Sequence, residues 1–133
     1  MKKHFLFATS LLSILFAIGC AKPDHVATIN SPVEGVFYTV ETFNGHGAPD
    51  SDFTRVYAHL ERNGKSDRKL VIDGTYLQLS KILWDSPHDV TLCVTSGITD
   101  SFRSQVTLIA GNASETIHNH LQELTGSGTS NCR

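Results

Sequence analysis

The clearest signal in this chain is alternation. From Phe53 to Arg62, Val56, Ala58 and Leu60 fall on one side of an extended strand, and Arg55, Tyr57, His59 and Glu61 on the other. Val36 to Phe43 (VFYTVETF) is rich in aromatic and β-branched residues, which favour strands. Asn63-Gly64 is a turn signal after the alternating run. Lys69 to Ile72 leads into Asp73-Gly74, a dipeptide suited to the positive backbone angles of a tight hairpin. Thr75 to Leu79 is then the returning strand, with a continuation through Ile82 and Leu83 to Trp84. Asp85-Ser86-Pro87-His88 breaks the pattern, Asp89 to Thr95 is the next strand, and Ser96-Gly97 is the next turn. Phe102 to Ala110 follows as a strand, and Val26 to Ile29 adds an edge strand near the start. Many short strands at close spacing predict a mainly β fold, a small antiparallel β-sandwich or barrel.

The last segment reads two ways. Ile117, Leu121 and Leu124 fall at helical spacing, Asn112 with Glu115 resembles a capping box, and Gly126 suits a helix end. This favours a short C-terminal helix over residues 112–124. The alternative is a hairpin turned at Gly111-Asn112, with Thr116 to Leu121 as a returning strand.

Length and composition narrow the picture. The chain has 133 residues, room for one domain. Its 40% hydrophobic and 18% charged content excludes bulk disorder. A net charge of −2 lacks the basic excess of a general nucleic-acid binder, so no nucleic-acid partner is expected. Three cysteines, Cys20, Cys93 and Cys132, make an odd number that needs an explanation.

The N-terminus supplies one. Lys2 and Lys3 precede an uncharged stretch from Phe5 to Gly19, shorter than the roughly 20 residues of a spanning helix. It ends in Ala17-Ile18-Gly19-Cys20, which resembles the lipobox of bacterial lipoproteins, with Ala17 where Leu is usual. The resemblance implies a signal peptide over residues 1–19 and lipid on Cys20. Two or three acyl chains would hold the protein on a bilayer, where one alone is marginal. Residues 20–32 then form a tether and residues 33–133 a single β-rich domain. Ala21, rather than Asp, after the lipidated cysteine implies the outer membrane, facing the periplasm. Removing residues 1–19 takes Lys2 and Lys3 away and leaves 114 residues, with 9 basic against 13 acidic. Lipid, not a basic patch, must then make the membrane contact.

Cys93 and Cys132 remain as an even pair in an oxidising compartment. A disulfide between them would anchor a tail rich in Gly and Ser. Cys93 alternates with Leu92 and Val94, so it faces away from their apolar side, where a returning tail can reach it.

Candidate chemistry is sparse. His118 and His120 on a strand would project from one face and could share a metal, with His88 or Asp89 as a third ligand. On a helix they would point to nearly opposite sides. No CxxC or HExxH motif accompanies them, so no metal or other cofactor is expected. The loop from Asn44 to Asp52 holds His46, Asp50 and Asp52, but the pattern of an EF-hand calcium loop is not completed. Trp84 at a strand break is a core plug or, less often, a binding anchor. No GxSxG elbow or phosphate-binding loop is present. The expectation is a non-enzymatic envelope lipoprotein. It would bind a protein partner, or serve an envelope assembly, through loops distal to the tether. His46, Asp50, Asp52, Trp84 and His88 are the candidate surface. The alternative is a small periplasm-facing hydrolase or metal-binding protein using His118 and His120.

Overall fold

The computed structural model describes residues 22–45, 52–124 and 132. Seven strands form one sheet: β1 (His25–Asn30), β2 (Val36–Phe43), β3 (Phe53–Arg62), β4 (Lys65–Ser86), β5 (Asp89–Phe102), β6 (Gln105–Ala110) and β7 (Ala113–Glu123). Their order is β1-β2-β3-β4-β5-β7-β6. The mainly β expectation holds, but the sheet is mixed rather than antiparallel throughout. β7 inserts between β5 and β6 and runs parallel to β5, with Asp89 beside His118 and Val94 beside Glu123.

The alternation read from β3 is the burial observed: Thr54, Val56, Ala58 and Leu60 point inward. Asn63 and Gly64 both take positive φ, 50° and 71°, as a two-residue hairpin turn requires. β4 is different. Its 22 residues would span about 70 Å if straight, roughly twice the diameter of a domain this size. It therefore bends, and β5 bends with it. The register between them shifts repeatedly from Asp73 to Lys81. Two expected turns lie inside these strands instead. Gly74 is buried in extended chain, and a Cβ there would collide with the carbonyl of Ile98. Gly97, at φ 100°, forms a bulge against Tyr76, itself at φ 52°. Both glycines let backbone approach backbone where the strands kink, so neither reverses the chain.

The bend divides the pairing. Lys65–Thr75 of β4 pairs with β3, and only Ile72–Thr75 of it pairs on the other side with the last residues of β5. The rest of β4 pairs with the first half of β5, which pairs in turn with β7. The sheet thereby folds over itself around one core. Val36, Tyr38, Val56 and Leu60 of β2 and β3 pack with Leu92, Leu108 and Ile117 of β5, β6 and β7. Each such side chain contributes about 1.5–3 kcal/mol when fully buried.

The C-terminal helix is overturned: residues 113–123 are strand β7. Ile117 and Leu121 are four apart, an even number, so they share a face of a strand as well as of a helix. Between them Asn119 is also inward, 2% exposed, which hid the period of two. Asn119 is tolerated there because it is bonded. The Tyr38 hydroxyl donates to its Oδ1 at 2.5 Å, and its Nδ2 donates to the carbonyl of Arg103 at 3.0 Å. This contact joins β2 to β7, which are not neighbours in the sheet. Cys93 and Cys132 meet at disulfide distance, their Cα atoms 6.1 Å apart. Cys93 is fully buried, so the second face of β5 is covered too.

Candidate functional site

The strand directions define two ends. β1 starts at His25, beside Thr42, and finishes at Asn30, beside Phe37. Asp24 therefore sits at one end, where its carboxylate accepts from the backbone N–H of Asn44 at 2.7 Å. The turn after β1 and the Asn63-Gly64 turn lie at the other end, because Val36 pairs with Leu60 and Arg62 with Lys65. The turn from β6 to β7 joins them there, with Gly111 against the Lys65 side chain.

A polar network ties this far end together. Arg62 Nε and Nη2 donate to the Glu34 carbonyl at 3.2 and 2.9 Å. Arg62 Nη2 also lies 3.0 Å from Glu115 Oε1, and Glu115 Oε2 lies 2.8 Å from His88 Nε2. Glu115 is largely covered while His88 is half exposed. One carboxylate thus links three segments distant in sequence: the turn after β1, the end of β3, and the turn between β4 and β5. Asp67 adds a fourth link nearby, accepting from the backbone N–H of Ile109 at 2.8 Å. That bond holds the Asp67 carboxyl below the usual carboxylate range.

Of the residues expected from sequence, only His88 joins this network. Asp52 lies at the Asp24 end, accepting from the Gly45 N–H at 2.7 Å. Trp84 packs on the core and stacks on Tyr38, ring centroids 5.3 Å apart, as a core plug would. His46, Asp50 and Cys20 lie outside the described residues. His118 and His120 do project from one face, as a strand requires. His120 Nε2 is 3.6 Å from Asp89 Oδ1. Asp89 is held below the usual carboxylate range, first by the Ser86 hydroxyl at 2.5 Å and then by His120 and His118. Yet among the described residues no three His, Cys, Asp or Glu side chains converge on a point that could hold a metal ion.

The outward face of β2, β3 and β4 carries a second constellation. Phe37 stacks on His59 with centroids 4.6 Å apart, and His59 Nε2 is 2.8 Å from Thr39 Oγ1. The Arg68 guanidinium sits 3.8 Å over the Tyr57 ring and 3.2 Å from Glu41. Arg55 lies 4.8 Å from the Phe53 ring centroid and 5.3 Å from that of Phe43. Partial burial, then the nearby Arg68 charge, pushes the His59 imidazole below its ordinary pKa, opposed by Glu61. Alternation already placed Arg55, Tyr57 and His59 outward. Their partners on β2 and β4 depend on register, which alternation alone leaves open. The sequence offered Glu115 only as half of a helix capping box and did not single out Arg62; their meeting depends on how the sheet folds over.

No family model, curated protein or solved structure matches this chain.

Proposed function

We propose that this chain is a lipid-anchored envelope protein that docks a protein partner at its far end and performs no catalysis. Residues 1–19 act as the export signal, Cys20 carries the lipid, and Ala21 directs the protein to the outer membrane, facing the periplasm. The observation that carries the reading is the separation of ends. The chain enters the sheet at Asp24, and the network of Arg62, Glu115 and His88 lies at the opposite end of the strands. A membrane-held start therefore leaves the three turns facing the compartment. The guanidinium has five donors in a rigid fork, of which the contacts above engage Nε and Nη2. Glu115 fixes that fork and His88 together, which lowers the ordering cost of docking.

Photo-crosslinking in intact cells tests this. A crosslinking residue at Asn63 should capture a defined protein, and one at Ile98, which is 63% exposed, should not. Capture from Ile98 alone would overturn the docking end. Metabolic labelling with an alkyne fatty acid should mark the protein and be lost in Cys20→Ala. Label retained by that variant would overturn the anchor.

A further inference from the structure

β1 pairs only with β2, so its outer edge has no described partner. The pairing of β4 with β3 stops at Thr75. Beyond that point, Gln78 to Ser86 pairs with β5 on one side and with no described strand on the other. Both open edges border one groove of about 250 Å³, lined by Ala27, Ile29, Val40, Leu79, Lys81 and Ile82. The overfolded sheet thus leaves a seam between β1 and the second half of β4. Main-chain N–H and C=O groups along such edges template another strand. His25–Asn30 holds no Lys, Arg, Glu, Asp or Pro. Gln78–Ser86 carries Lys81 and Asp85 and shifts register up to Lys81, but Lys81–Trp84 runs in regular register with β5.

A second observation sits at the same seam. Trp84 follows Ile82 by two in a regular stretch and stacks on Tyr38, whose strand neighbour is Ile29. Its indole Nε1 is buried and has no hydrogen-bond partner among the described residues, an arrangement that costs about 1–3 kcal/mol.

We infer that this seam is a strand-addition site for an extended peptide segment of a partner protein. The peptide pairs with the free edge of β4. Its apolar side chains enter the groove over Ala27 and Ile29, and a carboxylate on its outer face meets Lys81. The occupant is extended because only a strand satisfies a row of alternating donors and acceptors. Its carboxylate is placed at Lys81, the one cation of Gln78–Ser86, and kept away from Asp85 four residues on. This site is distinct from the far end and does not depend on the docking proposed there.

The probe is a blocked hexapeptide alternating valine with threonine, one threonine replaced by glutamate. Hydrogen exchange on the purified full-length protein should show new protection in Gln78–Trp84. Emission of Trp84, the only tryptophan, should shift with the same midpoint. Lys81→Glu should weaken the glutamate probe about two- to fivefold and strengthen a lysine version equally. Lys81 is exposed, and an unchanged strand signature in circular dichroism confirms that the variant folds. Three results would overturn the inference. One is the absence of protection at millimolar probe. Another is equal binding of a probe whose central valine is replaced by proline. The third is protection that grows with protein concentration and no probe, which assigns the seam to a second copy of this chain.

Discussion

The two faces of β2 and β3 are built from neighbouring residues and behave differently. Inward, Val36, Tyr38, Val56, Ala58 and Leu60 are almost wholly buried. Outward, Phe37, Tyr57, His59, Arg55 and Arg68 stack in pairs at the margin of solvent. The inner face joins strands across the folded-over sheet, through Tyr38 and Asn119. The outer face stays within β2, β3 and β4, its longest reach being the Arg68–Glu41 pair across β3. Loss on the inner face should therefore spread through the molecule, and loss on the outer face should stay local.

The largest expected effect is Leu60→Ala. Leu60 is fully buried, and its truncation should cost about 2–5 kcal/mol in urea unfolding. The matching outer change, Tyr57→Ala, should cost clearly less. Equal losses would erase the distinction between the faces. Next is Tyr38→Phe, which leaves Asn119 Oδ1 without its donor at about 1–3 kcal/mol. Hydrogen exchange should show β7 loosening in that variant. Loosening confined to β2 would mean that the contact does not carry the join. Smaller again is Arg68→Ala, which removes one cation–π contact and one exposed ion pair, about 0.5–1 kcal/mol.

The smallest effect is pH dependence, and it separates the faces by direction. Burial raises the pKa of Tyr38 from 10.0, so stability from the inner face is full below that value and falls as pH rises past it. His59 is lowered from 6.5, so the outer contribution is present above that value and falls as pH drops below it. A titration of thermal midpoint should lose its alkaline arm in Tyr38→Phe. In His59→Gln the slope just below pH 6.5 should flatten. Variants that leave both arms intact would place the titrating groups elsewhere.

Legibility in the sequence followed how local each feature is. β3 was legible because every second residue is apolar. β7 was obscured by Asn119, a polar residue whose inward position makes sense only with Tyr38 and Arg103 beside it. Asp73-Gly74 and Ser96-Gly97 have the composition of turns. In the fold their glycines relieve backbone crowding where β4 and β5 bend. His88 was legible as a residue at a strand break. Its partner Glu115 is 27 residues away and was not.

The sequence by itself determined the mainly β class, most strand positions and the Asn63-Gly64 turn. Each rests on period-two alternation or on turn residues. Only the tertiary structure decided that β4 and β5 bend and that β7 lies parallel between β5 and β6. It alone joined Arg62, Glu115 and His88, and it alone left a seam beside β1. Those features arise from register and from burial across the folded sheet. Both are set by contacts between segments that no local pattern records.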